Sequence, residues 1–309
     1  MDKTQNTGIA VKNRQGFALM ITLSVLSVII ALTMVLLSYF EEVQQDASHT
    51  KALIQADVYY ADIASIFQGV KDKKMLFSVL YRTALPLRTP DGKFSMLLHC
   101  KSLSTGVNIN WLGLTNNAEK AALYTVAQDL FDFLAQEYSI QDPTILLEML
   151  NEEIGDRKEF APKEQRRLHQ KNGIISYQQF EAVLGRYQFE TDDLKIGLVP
   201  WEKYFSFSVG KDKIDAEYSS AELIAYLFDM DLFIVNEWVN SMDIERNSLE
   251  SFVNENGGEY AQRKSILADK EFLDTTECSV TYAFAQEQYR FKFEYIQGEA
   301  KHFEFYGKQ

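Results

Sequence analysis

Cysteine, histidine and proline are scarce in this chain of 309 residues, which holds two, four and five of them. Two cysteines cannot build the framework of a disulfide-rich scaffold. Neither lies in a Cys-x-x-Cys pair, which excludes zinc-ribbon and thioredoxin-like chemistry. The histidines, His49, His99, His169 and His302, lack His-x-x-x-His spacing, and no stretch reads as a phosphate- or dinucleotide-binding glycine loop. Positive charge is also in deficit: 31 Lys and Arg face 44 Asp and Glu, a net charge of −13. That argues against general nucleic-acid binding, because neutralising phosphates requires clustered cations. Ser48 and Lys51 spell Ser-x-x-Lys, but the companion motifs of penicillin-binding enzymes are missing. The sequence therefore singles out no catalytic, cofactor-binding or metal-binding residue.

Apolar content is ample. Hydrophobic residues make up 46%, with 21 Phe and 16 Tyr, enough to bury a sizeable core in one or two domains. The most informative stretch is the uncharged run Phe17–Phe40, which has neither Pro nor Gly. At helical rise it spans about 36 Å, against about 30 Å for a bilayer's hydrocarbon core. A signal peptide would have a shorter apolar region ending at small residues. No Cys near the end of the run supports a lipid-modified terminus. Lys3, Lys12 and Arg14 precede it and Glu41, Glu42 and Asp46 follow, so the expected orientation keeps the short basic flank cytoplasmic and the body outside.

The basic leader ends in Arg14-Gln15-Gly16 and passes at once to Phe17-Ala18-Leu19-Met20-Ile21. This junction resembles the processing site of type IV prepilins. The resemblance implies that a prepilin peptidase cuts after Gly16 and methylates Phe17, leaving the span in the mature protein. Major pilins carry Glu at the fifth mature position, where this chain has Ile21. In that respect it is similar to the K-class minor pseudopilins of type II secretion, which lack the carboxylate and reside at a filament tip. An unpaired intramembrane carboxylate is costly, so a subunit with no neighbour above it has no reason to keep one.

Beyond the span, Val43, Ala47, Ile54, Val58, Ala61 and Ser65 form a stripe of helical period, predicting a helix to about Gln68 that ends near Gly69. The resemblance implies that the stripe packs on the subunit's own sheet. Pro90-Asp91-Gly92 signals a turn before a strand over Phe94–Cys100, and Ser104-Thr105-Gly106 a second turn. Val107-Asn108-Ile109-Asn110 then resembles the segment at which K-class pseudopilins leave the sheet for a helical insertion. A helix is expected from Thr115 to about Tyr138, with Ala121, Ala122, Val126, Leu130, Phe133 and Leu134 inward. Another starts at Asp142-Pro143. The family has an acidic segment here to which calcium is attributed; this chain offers Glu148, Asn151 and Glu153, which read more readily as the solvated face of a helix. Asn172–Gly185 and Ile214–Ile224 resemble two further family segments. Each contains a capping box, Ser176 with Gln179 and Ser219 with Glu222, and Gly185 is placed to end the first helix. After Asp269 the period changes to two. Three antiparallel strands are predicted at 278–284, 289–295 and 302–306, with Tyr289, Phe291, Phe293 and Tyr295 on one buried face. Trp111, Trp201 and Trp238 are expected in cores or at domain edges. Cys100 and Cys278 would face an oxidising compartment, where a bridge forms only if their Cα atoms come within about 7 Å.

The expected fold is α+β: a pilin-like long N-terminal helix plus a small antiparallel sheet with a large inserted α-helical domain. The expected divisions are a cleaved leader 1–16, a transmembrane helix 17–40, a helix extension and first sheet part 41–110, the insertion 111–270 and closing strands 271–309. The resemblance implies a non-enzymatic minor pseudopilin of type II secretion, anchored in a bacterial inner membrane with its body in the periplasm and capping the pseudopilus tip. Its expected partners are other minor pseudopilins, the major pseudopilin, the prepilin peptidase, the inner-membrane secretion platform and membrane lipid, with no nucleic acid and no cofactor beyond the calcium considered above. Two alternatives stay open: a minor pilin of a type IV pilus or DNA-uptake pseudopilus, and a membrane-anchored periplasmic enzyme or sensor with an uncleaved span.

Overall fold

The computed structural model describes residues 10–88, 95–115, 117–155, 173–208, 212–241, 247–269, 271–284 and 287–308. The turn expected at Pro90-Asp91-Gly92, together with Phe94, His169 and Asn172, lies outside them. The first element is a single helix, α1 (Ala10–Gly69). Nothing from Phe17 to Gln68 interrupts it, since that stretch has no Pro or Gly. It closes at Gly69, where Val70 N–H still reaches the Ile66 carbonyl at 3.2 Å.

A helix that the sequence did not announce follows, α2 (Lys73–Arg82). The Asp72 carboxylate caps it by accepting from Met75 N–H at 2.9 Å, and it buries Phe77 and Leu80. The charged Lys71–Lys74 run therefore opens a helix as well as marking the end of α1. Strands β1 (Leu85–Arg88) and β2 (Ser95–Ser102) pair antiparallel. Pro86 removes a ladder donor, which confines β1 to the sheet edge. Near the C-terminus, β5 (Thr275–Phe284), β6 (Glu287–Ile296) and β7 (Glu299–Lys308) complete one antiparallel sheet in the order β1-β2-β5-β6-β7. Gln297 and Gly298 join β6 to β7 with φ of 55° and 77°, a two-residue hairpin that requires positive φ at both positions. As the alternation predicts, Tyr289, Phe291, Phe293 and Tyr295 are buried while Arg290, Lys292 and Glu294 keep contact with solvent.

Cys100 and Cys278 stand directly opposite in the β2–β5 register and form a disulfide, with Cα atoms 4.0 Å apart and both residues buried. Register settles what residue counting left open.

The chain between β2 and β5 makes the rest of the molecule. It contains the two-residue strands β3 (Val107–Asn108) and β4 (Phe205–Ser206) and eight α-helices among the described residues: α3 (Ala121–Glu137), α4 (Pro143–Ile154), α5 (Tyr177–Thr191), α6 (Trp201–Tyr204), α7 (Ala221–Phe228), α8 (Leu232–Asn240), α9 (Leu249–Glu255) and α10 (Tyr260–Arg263). β3 pairs parallel with β4 and not with the larger sheet. Gly106 permits this approach, because a Cβ there would lie 2.4 Å from the Phe205 carbonyl carbon. Val107 and Ile109 consequently belong to the core of the helical unit. Asn108 and Asn110 tie its segments together: Asn110 accepts from Ile174 N–H at 2.7 Å and donates to the Ile174 carbonyl at 2.8 Å, while Asn108 donates to the Ser208 carbonyl at 2.8 Å.

Several local expectations are corrected. In α3 the inward face is Leu123, Val126, Ala127, Leu130, Phe131, Leu134 and Ala135. Phe133 lies partly exposed, its ring 4.8 Å from that of Tyr226. α5 does not stop at Gly185; it runs on to Thr191 and ends through Asp192 in the left-handed region. The cap of α7 is Ser220, whose Oγ accepts from Leu223 N–H at 3.1 Å. Ser219 instead donates to the Thr105 carbonyl, and Glu222 pairs with Lys203. Asp142 and Ser176 cap α4 and α5 as their sequences predict. Trp111, Trp201 and Trp238 are all buried in the helical unit. Its core and that of the sheet unit share no residue.

Candidate membrane anchor and helix-packing face

From Leu19 to Gly69, α1 is 51 residues long and apolar enough in its first half to cross a membrane, with none of that apolar window buried by the rest of the protein. At 1.5 Å per residue this stretch is about 77 Å long, so a span of about 30 Å leaves more than half of it outside the hydrocarbon. Four hydroxyls of the apolar run are internally satisfied. Thr22, Ser24, Ser27 and Thr33 each donate to a carbonyl three or four residues earlier, at 2.8 to 3.0 Å. In a medium that offers no water this satisfaction is what keeps a hydroxyl tolerable. Gly16 lies within the helical backbone and the Phe17 ring is exposed.

The second half of α1 has two faces. One is buried on the sheet: Ala52, Ala56, Ile63 and Phe67 are all at most 3% exposed. The two alanines let the sheet come close, and Tyr282 Oη donates to the Ala52 carbonyl at 2.5 Å. Tyr60 Oη reaches the Ala300 carbonyl at 2.7 Å, while its ring meets Phe293 edge-on at 5.4 Å. Phe67 packs edge-on against Phe77 at 5.0 Å and Tyr295 at 5.5 Å. Burial raises the Tyr59, Tyr60 and Tyr282 phenols above their ordinary range, so these hydroxyls act as neutral donors or acceptors.

The other face carries Val43, Ala47, Ile54, Val58, Ala61 and Ser65, and all six are exposed. At about 100° per residue their mean direction lies about 180° from that of the buried four. This corrects the expectation that the stripe rests on the protein's own sheet. The helix has two small-residue stripes, and the sheet takes the one with Phe67. The outer stripe continues the apolar surface of the membrane segment and has no partner among the described residues.

Elsewhere, the residues considered for calcium do not converge. Glu148 is exposed on α4, and Glu153 accepts from Gln179 Nε2 at 2.8 Å. Asn151 Oδ1 is buried and unbonded. No group of three or more His, Cys, Asp or Glu side chains suited to a metal ion occurs among the described residues. Ser48 and Lys51 sit on α1, where Lys51 is exposed. The neighbouring His49 ring packs edge-on against Phe305 at 5.3 Å.

Sequence reading missed the polar seam between the two units. There Asp215 N–H donates to the Ser104 carbonyl at 2.8 Å, Arg82 pairs with Glu217 at 2.7 Å, and Lys74 donates to the Asp269 carbonyl at 2.6 Å. Burial raises the Asp215 carboxyl to about 6, partly offset by a hydrogen bond from Ser102. Its signal was the segment Ile214–Ile224, singled out for its resemblance to a family segment and a capping box rather than for this carboxylate. No protein-family model matches the chain, and no curated protein matches its sequence.

Proposed function

We propose that the protein is a minor pseudopilin of the K class, a non-enzymatic membrane-anchored subunit that caps the tip of a type II secretion pseudopilus and assists its assembly. The observation that carries this reading is the outer stripe of α1. A helix that leaves the apolar segment without a break, rests one face on its own sheet and keeps an opposite face of small and apolar residues uncovered is built to pack against other helices outside the bilayer. The prepilin-like junction at Gly16 and Phe17 supports the same reading, as does Ile21 where filament-shaft subunits carry Glu. The disulfide supports an oxidising location for the body, hence a periplasmic orientation of the anchor in a bacterial inner membrane. The bulk of the helical insertion favours a terminal position, because a repeating shaft has little room for such a domain in every subunit. On this reading the partners are other minor pseudopilins and the major pseudopilin through the helix, together with the prepilin peptidase and the secretion platform.

The test is the amino terminus of the membrane-extracted protein, determined by mass spectrometry in cells with and without prepilin peptidase. The expected product begins at N-methylated Phe17 only where the peptidase is present. An intact leader in both strains sinks the proposal. Immunolabelling at regular intervals along isolated filaments would exclude the tip position while leaving the family assignment intact.

A further inference from the structure

The helical unit and the sheet unit are joined by two crossovers, 103–107 and 267–274, which leave from neighbouring strands fastened to each other by the disulfide. The first crossover also touches the start of β5, where the second one ends: Leu103 N–H donates to the Thr275 carbonyl at 3.0 Å, and Ser104 Oγ lies 2.7 Å from Thr275 Oγ1. Two connections side by side act as a single hinge. The two apolar cores share no residue, so polar contacts, together with the edge-on meeting of the Tyr81 and Tyr218 rings at 4.9 Å, decide how firmly that hinge is closed.

Those contacts concentrate on Ile214–Ser219. Ile214 N–H donates to the Ile266 carbonyl at 2.7 Å, and its own carbonyl accepts from Ala268 N–H of the second crossover at 2.8 Å. Asp215 N–H and Ser219 Oγ donate to the first crossover, at the Ser104 and Thr105 carbonyls. Glu217 pairs with Arg82 of α2, whose guanidinium lies 5.9 Å from the centre of the Tyr218 ring. Clefts flank this segment on both sides. One, of about 320 Å³, is lined by Lys74, Asp215, Glu217, Glu250, Tyr260 and Asp269; the other, of about 330 Å³, by Tyr81, Arg82, Lys101, Glu217 and Tyr218. Water thus reaches both sides of a seam one segment wide.

We propose that Ile214–Ser219 is an acid-tightened latch that holds the helical unit closed on the sheet unit about the paired crossovers. The Asp215 carboxyl is the group that tightens it. Facing it are Lys74 and Tyr81 from α2, Ser102 from β2, and Glu217 and Tyr218 from its own segment. Across the cleft stand Glu250 and Asp269, which share Lys264 at 4.0 and 3.8 Å, and Tyr260. Burial is the larger cause that disfavours the ionised form and the Glu217 carboxylate adds to it, while the Ser102 hydrogen bond and Lys74 act the other way. The closed state holds this carboxyl at about 6, whereas an opened, hydrated one titrates at its ordinary 3.8. Closure is therefore fully favoured at low pH and weakens as pH rises through about 6. With those two values, the ratio of open to closed forms changes about tenfold between about pH 5 and about pH 7.5.

Hydrogen exchange of the full chain in detergent micelles, read by mass spectrometry at about pH 5 and about pH 7.5 and corrected for intrinsic exchange, measures this opening. Amides of 103–107 and 214–219 are expected to open about tenfold more often at the higher pH, while those of β6 do not respond. Asp215→Asn should abolish the pH response and keep the seam protected at both values. Arg82→Gln should raise opening at both pH values and leave the response in place. Equal protection of the unmutated seam at both pH values, or a response that survives in Asp215→Asn, overturns the proposal. The first comparison needs no variant to fold. The latch does not rest on the pseudopilin reading, so either fails without the other.

Discussion

The sheet unit and the helical unit solve the burial problem differently. The sheet core is aromatic: Phe67, Phe77, Tyr282, Tyr289, Phe291, Phe293 and Tyr295 surround a disulfide and join segments from both ends of the chain. The helical core is largely aliphatic, with Leu130, Leu134, Leu146, Leu150, Leu223 and Ile224 among its members. Five of its helices are capped by side chains, those of Asp142, Ser176, Ser220, Asp231 and Ser248. One unit is fastened by contacts distant in sequence, the other by many local ones. A short helix with a good cap needs little from its neighbours, whereas a sheet whose strands are separated by a long insertion depends on whatever keeps those strands together.

That contrast can be broken in order of force. Replacing both cysteines by alanine removes a cross-link between residues separated by 178 positions, for which the chain-entropy account gives about 5 kcal/mol. Calorimetry should show the sheet transition fall by at least half of that while the helical transition holds; equal falls in both would mean that the units fold as one. Next, Phe291→Ala in the wholly buried centre of β6 should cost about 3 to 5 kcal/mol, measured as a lowered denaturation midpoint of the sheet alone. The mildest change, Ser220→Ala, removes the α7 cap and should cost about 1 kcal/mol, visible only in the helical transition.

Much of this architecture was legible in the sequence, and the illegible parts have physical causes. The apolar run and the three closing strands declare themselves because their periods, 3.6 and 2, are sustained over many residues. The start of α4 was readable because Pro143 follows a capping Asp142. By contrast, α2 begins in a lysine-rich run that looks like a loop, and only its Asp72 cap gives it away. β1 hides behind Pro86. The long helix shows two stripes of small residues, and nothing along one chain says which of them the sheet will cover. Gly185 looks like a stop, yet a Cβ at that position would meet nothing within 4 Å. It is simply a weak helical residue carried by its neighbours. The Asp215 seam depends on crossovers meeting across long sequence distances, which local pattern cannot express.

The bond between Cys100 and Cys278 also fixes where a pulling force would run. Suppose that α1 is held in a bilayer and something draws on the far end of the sheet. Tension reaching β2 then crosses through sulfur to β5, and the whole excursion between the two cysteines lies off the load path. The helical unit rides beside the load-bearing line, like a pennant tied to a taut rope. It remains free to open, close or hold a partner without being stretched by the work done on the rest of the molecule.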